Sequence, residues 1–172
     1  MTSASIDIID DFVPSEEFKT IKNVMMGNTF PWYWNPNITY EDSIERNGQF
    51  SHTFFRENEG KSDWYSLMRP IIRDLYYPNQ GVLYRLKANL NPREDDHYQL
   101  GEYHSDYNLT CKTAILYINT NNGYTKFEGV DDPVESVENR MVIFDSHIKH
   151  VGFTCTDEKT RVLLNINYVT YQ

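Results

Sequence analysis

The sequence has few cysteines, no long apolar run and a deficit of positive charge, and each shortage excludes a class of protein. Its two cysteines are Cys111 and Cys155. A chain of this size folds without a covalent staple, so we expect two free thiols in a reducing compartment, with a disulfide between them as the open alternative. No apolar stretch comes near the roughly 18 residues that a membrane helix requires, and no signal-peptide pattern is present. We therefore expect a cytoplasmic protein with no membrane partner.

Positive charge is scarce, since 16 Lys and Arg residues stand against 25 Asp and Glu residues, for a formal net charge of −9. Binding to the phosphate backbone of nucleic acids draws on clustered Lys and Arg. Nucleic acid is therefore not expected as a partner. A local basic rim remains open as an exception, formed by Arg85, Lys87, Arg93 and Lys112.

Apolar and aromatic residues are plentiful: 40% of the 172 residues are hydrophobic and 15% are aromatic. Disordered chains lack the apolar surface that offsets the entropy of ordering, so this composition indicates a folded globule. The length suits one domain, and no internal repeat, low-complexity tract or linker divides it. We predict a single domain over 1–172, with a helical or lid-like flank over 1–79 and a strand-rich core over 80–172.

The N-terminal flank shows the periodicity of two helices. Acidic residues and an apolar repeat with 3.6-residue spacing follow Pro14-Ser15, which predicts a helix that ends at Gly27-Asn28. A second apolar stripe follows Ser62, which is expected to cap a helix there. Pro70 lacks a backbone donor, so it should kink or split this second helix.

An aromatic stretch over 30–37 is predicted to form no periodic element. Trp32 and Trp34 in this stretch either belong to a lid that contacts the substrate or plug the underside of a sheet. Residues 48–56 alternate enough to form a strand, and a polar turn follows over 57–61.

From Gly81 onwards the pattern changes to short strands separated by turn signals such as Asn121-Asn122-Gly123. Helices that come first and strands that follow exclude an alternating α/β fold and indicate a mainly β protein. The predicted strands are Val82–Leu90, Tyr98–Tyr103, Thr110–Asn119, Tyr124–Glu128, Glu135–Val137, Arg140–Phe144, Gly152–Thr154 and Arg161–Val169. This number suits a jelly roll or a barrel-like sandwich with flanking N-terminal helices.

Two of these strands have one polar and one apolar face. Side chains on a strand alternate between its faces, so Arg85, Lys87 and Asn89 share one face while Leu and Ala residues occupy the other. The strand that begins at Arg161 is divided in the same way, with Asn165 and Asn167 on the face of Arg161. Helices packed outside the sheet would cover the apolar faces, so the polar faces are predicted to line a hydrated, functional cavity.

The pentapeptide from Tyr103 to Tyr107 contains an imidazole and a carboxylate, His104 and Asp106, two residues apart. On a strand both would leave the same face, which gives half of a metal site. A later histidine, either His147 or His150, would complete a set of two neutral nitrogens and one carboxylate. Such a set leaves one side of the ion open and suits reactive Fe(II). A His-x-Asp pair alone arises often by chance, so the order of the surrounding motifs decides its weight.

That order resembles the Fe(II)/2-oxoglutarate-dependent dioxygenases, in particular the prolyl-4-hydroxylase-like branch and its small single-domain phage members. The resemblance covers roughly residues 80–172. It is carried in chain order by the runs over 103–107, 113–119, 123–127, 139–145, 150–152 and 156–167.

The resemblance implies a site in a double-stranded β-helix, or jelly roll. His104, Asp106 and His150 correspond to the iron ligands, and Arg161 corresponds to the partner of the distal carboxylate of 2-oxoglutarate, which its planar fork suits. The resemblance also implies, from weaker correspondences, that three further residues bind 2-oxoglutarate: Tyr117, Asn89 and Lys87. The family often has tyrosine at the position of Asn89. The hydrogen bonds to 2-oxoglutarate are therefore expected to differ from those of the family at this position. Tyr117 is alternatively a plain sheet tyrosine.

Several residues compete with these assignments. His147 is the rival of His150, which is preferred because the family histidine is followed after one residue by glycine, here Gly152. Lys159 is the rival of Arg161, but it lies in the polar turn before the strand. His52 and His97 have no motif around them and are expected to be structural or at the surface.

The implied activity is hydroxylation of an unactivated C–H bond with Fe(II), 2-oxoglutarate and dioxygen, which yields succinate and carbon dioxide. The substrate is a small molecule or a peptide, with peptidyl proline favoured only by the family branch. Candidate substrate contacts are Trp32, Trp34, Asn165 and Asn167. The phage relatives imply a phage-encoded protein that acts in the host cell.

Two other functions remain open on the sequence alone. A non-oxidative cupin-like protein would bind a metal or a small ligand without any need for Arg161. A structural jelly roll would carry the three ligands by accident. The sequence indicates no oligomeric state.

Overall fold

The computed structural model describes residues 5–38, 48–76, 81–107 and 110–170. Two helical segments pack beside a set of antiparallel strands. The elements are β1 (Ile6–Ile9), α1 (Ser15–Met25), β2 (Tyr33–Asn35), β3 (Gln49–Arg56), β4 (Glu59–Gly60), a 3-10 helix (Asp63–Met68), α2 (Arg69–Tyr76), β5 (Gly81–Pro92), β6 (Gln99–His104), β7 (Lys112–Tyr117), β8 (Asn121–Phe127), β9 (Val134–Ser136), β10 (Met141–Asp145), β11 (His150–Phe153) and β12 (Thr160–Thr170).

The strands form two antiparallel sheets. The larger sheet has eight strands in the order β1-β10-β7-β12-β5-β3-β2, with β4 paired to β3. The smaller sheet has four strands in the order β6-β11-β8-β9. Along the core, β5, β7, β10 and β12 belong to the larger sheet and β6, β8, β9 and β11 to the smaller one, so the chain crosses repeatedly between the sheets. This is the predicted jelly roll with N-terminal helices. Strands β1, β2 and β3 extend the larger sheet, so the N-terminal flank contributes strands as well as helices.

The main core lies between the larger sheet and the helices. The helix α1 begins after Pro14, whose carbonyl accepts a 2.9 Å hydrogen bond from the backbone N–H of Phe18. Its apolar stripe belongs to one core cluster together with the apolar faces of β5 and β12, which are covered as the alternation predicts. This core includes Phe18, Ile21, Met25, Ile71, Leu75, Leu86, Val162, Leu164 and Ile166. Covering these faces leaves the polar faces of β5 and β12 turned towards the smaller sheet.

A second apolar cluster joins the two sheets. Phe127 on β8 packs edge-on against Phe144 on β10, with ring centroids 4.9 Å apart. Ile115, Leu163 and Ile148 belong to the same cluster. It therefore fixes the distance between the sheets beside the polar cavity.

The second helical segment divides where Pro70 was expected to kink or split it. Ser62 caps its start by accepting a hydrogen bond of 3.0 Å from the backbone N–H of Trp64. A 3-10 helix follows and gives way to α2 at Arg69, directly before Pro70. The predicted end of this segment, from Tyr77 to Asn79, falls outside the described residues.

Two local predictions were wrong, and a third was confirmed with more detail. The aromatic stretch over 30–37 does contain a regular element, the short strand β2, because pairing with β3 supplies hydrogen bonds that its own sequence does not signal. Asn121-Asn122-Gly123 begins strand β8 and is not a turn. The predicted polar turn over 57–61 is present as a tight hairpin, with Glu57 and Asn58 at positive φ and β4 beyond it.

None of the helices within the described part of the chain is both long and apolar enough to cross a membrane. Cys111 and Cys155 are both free thiols, as expected. That the whole chain forms one domain stays a prediction.

Candidate metal centre and its cavity

Strand pairing brings together the three predicted metal ligands. His104 ends β6 and His150 begins β11, and these strands pair with the two histidines directly opposite each other. Their ring centroids lie 4.9 Å apart. Asp106 follows β6, and the ligand atoms of all three side chains lie within 4.8 Å of one another. One ion can therefore contact all three.

Each histidine has one ring nitrogen occupied and the other available. The Nδ1 of His104 lies 2.9 Å from the carbonyl oxygen of Glu102, and the Nδ1 of His150 lies 3.2 Å from that of Ile148. A protonated Nδ1 that donates to a carbonyl leaves Nε2 with a free lone pair, the usual arrangement of a metal-bound histidine. Burial lowers the pKa of His150, which keeps its ring in the neutral form that binds metals.

Asp106 is held by a set of hydrogen-bond donors on the larger sheet. Its Oδ2 accepts bonds of 3.0 Å from the Thr113 hydroxyl, 3.1 Å from the Asn165 amide and 3.0 Å from the Asn167 amide. Its Oδ1 lies 3.3 Å from Nη2 of Arg85. Burial alone would raise the pKa of this carboxyl, but the nearby cations and amides outweigh it and lower the pKa to about 2. The carboxylate is thus ionised and fixed in orientation.

A cavity of about 260 Å³ extends from the three ligands between the two sheets. Its described lining is Ile38, Gln49, Arg85, Lys87, Asn89, Asn91, Leu100, His104, Ser105, Asp106, Ile115, Thr125, His150, Gly152, Arg161, Leu163 and Asn165. The polar faces of β5 and β12 supply most of its charged and amide groups, which confirms the prediction from their alternation.

Arg161 lies in the same cavity and is 1% exposed. Its Nε donates to the Ser136 hydroxyl at 3.0 Å, and its Nη2 donates to the Thr125 hydroxyl at 3.0 Å. Space for its side chain depends on Gly123, where a Cβ would come within 2.7 Å of the Arg161 Cδ. These contacts fix the guanidinium in place with neutral partners.

The charge of Arg161 has no counter-ion in the described part of the chain, since no carboxylate there lies within 4.0 Å of it. Burial lowers the pKa of Arg161, yet a guanidinium stays charged in proteins. A buried cation without an anion costs several kcal/mol. The cavity therefore fits an anionic ligand that reaches from the metal ligands to Arg161.

Two buried amide atoms beside Arg161 also lack partners. Neither Oδ1 of Asn89 nor Nδ2 of Asn91 has a hydrogen-bond partner among the described residues. Asn91 lies directly across from Arg161 in the pairing of β5 with β12. Buried polar groups are nearly always bonded in native proteins, so these atoms also fit a polar ligand.

Tyr117 contacts Arg161 with its ring, whose centroid lies 5.5 Å from the guanidinium carbon, and also through the Thr125 hydroxyl. Its hydroxyl donates to the Thr125 hydroxyl at 2.8 Å, and that same oxygen accepts the bond from Arg161. Tyr117 is fully buried, burial raises its pKa, and its side chain does not line the described part of the cavity. It supports the position of Arg161, while direct contact with a ligand stays a prediction.

Other candidates lie away from the cavity. His147 and Lys159, the rivals of His150 and Arg161, are both exposed. His52 is buried and contacts the Pro31 carbonyl and the Ser62 hydroxyl at 2.8 and 2.7 Å, so it is structural. His97 is at the surface. The predicted basic rim does not form, because Lys112 is paired with Asp145 and only Arg85 and Lys87 face the cavity.

The structure does not bring the two tryptophans to the described lining of the cavity. Trp32 packs against the main core and Phe30, with ring centroids 5.0 Å apart, while Trp34 is exposed and lies edge-on to Phe50. Asn165 and Asn167 face the interior, but their amides are engaged with Asp106 and Arg85. A role in contacting the substrate stays a prediction for all four.

Sequence reasoning did not single out Asn91, Thr113 or Thr125. It also did not predict the contact between Arg85 and Asp106. The sequence pattern predicts a strand that ends at Leu90 and a loop from Asn91, whereas β5 continues to Pro92. Continuing the alternation of Arg85, Lys87 and Asn89 by one step would have found Asn91. Nothing in the sequence signals the bonds that Thr113 and Thr125 make.

No family model matches the chain, and no curated protein matches its sequence. Solved structures do match over nearly the whole chain. The 2-oxoglutarate complex of a viral collagen prolyl hydroxylase from Paramecium bursaria Chlorella virus-1 is 11% identical, with a TM-score of 0.60 and coverage of 96% of each chain. A prolyl-4-hydroxylase from Pseudomonas putida is 17% identical, with a TM-score of 0.59 and coverage of 98% of this chain and 94% of the other.

A third structure, HygX from Streptomyces hygroscopicus with nickel and 2-oxoglutarate bound, is 8% identical. Its TM-score is 0.63, and the match covers 98% of this chain and 84% of the other. At such identities the likeness establishes a shared fold and leaves the chemistry to be argued from the residues of this chain.

Proposed function

We propose that this protein is an Fe(II)/2-oxoglutarate-dependent dioxygenase that hydroxylates an unactivated C–H bond. The observation that carries the proposal is a single cavity with a three-ligand metal site at one end and a buried, uncompensated guanidinium at the other. The iron and its cosubstrate supply the oxidising chemistry: substrate, 2-oxoglutarate and dioxygen are converted into hydroxylated substrate, succinate and carbon dioxide.

The side chains of this chain have distinct tasks in that reaction. His104, Asp106 and His150 would hold the iron from one side and leave its other side open. Arg161 would bind the distal carboxylate of 2-oxoglutarate, which explains why so buried a cation is retained. The unpartnered atoms of Asn89 and Asn91 would add hydrogen bonds to the same ligand, with the Asn89 amide rotated so that it donates.

We further propose a small-molecule or peptide substrate. Peptidyl proline is supported by the fold shared with prolyl hydroxylases, including the viral one. The two free thiols support action in the cytoplasm. A phage-encoded origin is supported only by the resemblance to small phage enzymes.

The proposal is tested by reconstituting the protein with Fe(II) and 2-oxoglutarate without oxygen. We expect the weak visible absorption of a metal-bound 2-oxo acid, followed by succinate formation when air is admitted. Correctly folded protein that shows neither signal would leave a non-oxidative, cupin-like binding protein as the better description.

A matched pair of variants tests the ligand assignment. His150→Ala should lose both signals, because it removes a buried ring from the metal site. His147→Ala should retain them, because that ring is exposed and outside the site. Equal loss in the two variants would contradict the assignment of His150.

A further inference from the structure

The cavity carries an excess of positive charge in a chain whose net charge is −9. Three cations line it, namely Arg85, Lys87 and Arg161, and Asp106 is the one carboxylate in its described lining. Concentrated charge of one sign in a concave site attracts ligands of the opposite sign. The surplus is therefore informative about what the cavity binds.

Arg85 is only partly occupied by protein partners. Its Nε donates to Asn167 at 2.9 Å, and its Nη2 donates to Asn165 at 3.0 Å and lies 3.3 Å from Asp106. Its Nη1 has no acceptor among the described residues. The guanidinium carbon lies 5.4 Å from the centroid of the Tyr107 ring. The side chain is 24% exposed and lines the cavity, so its Nη1 group is open to a ligand.

Lys87 lies two residues further along the same face of β5 and is directly opposite Asn165 on β12. In the part of the chain that the structure describes, its ammonium has no hydrogen-bond acceptor. Burial, followed by repulsion from Arg85, lowers the pKa of Lys87 to about 8. An anion beside it would favour the charged form.

If the proposed function is correct, neither the metal ion nor 2-oxoglutarate supplies a counter-ion to Arg85 and Lys87. The cosubstrate carries two carboxylates, of which one is matched to Arg161 and the other to the divalent metal. Asp106 would then be shared between the metal and Arg85, and Lys87 would feel it only from a distance, with no carboxylate of the described residues at ion-pair distance. An uncompensated pair of cations in a partly desolvated cavity is costly.

We infer that Arg85 and Lys87 form a recognition site for an anionic group of the substrate, either a carboxylate or a phosphate. This inference rests on the proposed function and specifies its substrate class. It differs from the assignment of Lys87 to the cosubstrate that the sequence alone implies. A carboxylate would come from an acidic residue of a peptide or from an organic acid, and a phosphate would come from a phosphorylated small molecule or peptide.

The test uses protein loaded with Ni(II), which does not turn over, and saturated with 2-oxoglutarate so that Arg161 is occupied. Acetate and methyl phosphate are titrated separately at constant ionic strength set with potassium chloride, and binding is followed by the thermal unfolding midpoint. We expect a saturable rise of the midpoint for at least one probe. The probe that binds more tightly identifies the chemistry of the substrate group.

Lys87→Gln is the informative variant, because Lys87 makes no contact that holds Asp106. The apparent Kd of the preferred probe should rise at least tenfold in Lys87→Gln. It should stay within twofold in Lys149→Gln, since Lys149 is exposed and pairs with Glu128 outside the cavity. Arg85→Gln should weaken probe binding as well, but it also disturbs Asp106 and is therefore the second measurement.

Three results would overturn the inference: no saturable rise in the wild type, an equal rise in Lys87→Gln, or a tenfold loss of 2-oxoglutarate affinity in Lys87→Gln with the probe response intact. The second result would mean that the probe binds the metal, and the third would return Lys87 to the cosubstrate. A wild type that binds no 2-oxoglutarate would overturn the proposed function separately. The same titration without cosubstrate would then still decide whether the two cations bind an anion.

Discussion

The two ends of the cavity solve opposite electrostatic problems. At one end Asp106 is an anion surrounded by donors, namely Arg85, Thr113, Asn165 and Asn167. At the other end Arg161 is a cation bonded to neutral acceptors, and the neighbouring strand carries two buried amide atoms that have no partner among the described residues. At the first end, the charge of the carboxylate is matched by groups of the protein itself. The second end is completed by an anionic ligand.

This difference indicates how each end contributes to function. Donors that orient a ligand carboxylate raise metal affinity, because the side chain is already ordered before the metal binds. A buried cation without a counter-ion lowers the stability of the empty protein and favours binding of an anion in return. The metal end therefore fixes the orientation of a ligand carboxylate, and the Arg161 end makes the stability of the protein depend on a bound anion.

The largest effect is expected from neutralising the anionic end. Asp106→Asn should lower metal affinity by more than about 100-fold, the upper end of what loss of a supporting contact costs, because it removes a ligand and leaves Arg85 without its partner. Titration of Mn(II) or Ni(II) by calorimetry measures this. Asp145→Asn is the control, since that carboxylate is partly exposed and pairs with Lys112. A loss below tenfold in Asp106→Asn would contradict its role as a ligand.

Neutralising the cationic end should separate cosubstrate binding from metal binding. Arg161→Met should weaken 2-oxoglutarate by roughly 30-fold or more, the effect of truncating one partner of a buried charge pair. Metal affinity should change by less than about threefold, and the ligand-free protein should be no less stable, because a buried uncompensated charge is lost. Calorimetry with Ni(II) and thermal unfolding measure these quantities.

Arg93→Met serves as the control for Arg161→Met, since Arg93 is exposed and outside the cavity. Equal losses of metal affinity and 2-oxoglutarate affinity in Arg161→Met would contradict the separate roles of the two ends. So would destabilisation of the ligand-free variant by several kcal/mol, because Arg161 would then be a structural residue.

Two threonines offer a matched test with smaller effects. Thr113 donates to Asp106 and Thr125 accepts from Arg161, so Thr113→Val and Thr125→Val each remove one hydroxyl at nearly constant shape. Thr113→Val should weaken metal binding by about tenfold, the low end for outer contacts of a metal site, and leave 2-oxoglutarate affinity nearly unchanged. Thr125→Val should show the reverse pattern. Identical profiles in the two variants would mean that the ends are not independent.

The sequence predicts much of this arrangement because strand alternation is a local property. The period of two in β5 and β12 places Arg85, Lys87, Asn89 and Arg161 on cavity-facing positions without any knowledge of the fold. The same holds for His104 and Asp106, which lie two residues apart. That His150 closes on them depends on the pairing of β6 with β11, and the order of motifs in the resemblance pointed to it.

What the sequence could not predict is decided by contacts between distant strands. The bond from Thr113 to Asp106 exists because β7 lies next to β12 in the larger sheet, and sheet order is not encoded locally. Strand β2 was missed because it exists through pairing with β3. The composition of Asn121-Asn122-Gly123 predicts a turn, but pairing of β8 with β9 and β11 holds the segment as a strand.

The smallest effect concerns Lys87 and the pH dependence of stability. Its pKa in the folded protein is lowered from 10.5 to about 8, so between these values the unfolded chain binds more protons than the folded one. Stability then rises with pH across this window, since the cost of a buried ammonium is relieved as the group is deprotonated in the folded protein. Lys87→Met should remove this rise, which is expected to amount to a fraction of the roughly 1.4 kcal/mol per pKa unit of a fully shifted group. Urea unfolding of the wild type and Lys87→Met between about pH 7.5 and 10 isolates the contribution of Lys87 by difference, because the tyrosines and cysteines titrate in both proteins.

A saturating anionic ligand at Arg85 and Lys87 should raise the pKa of Lys87 and flatten the dependence of wild-type stability on pH. If such a ligand left this dependence unchanged, Lys87 would not belong to the anion site.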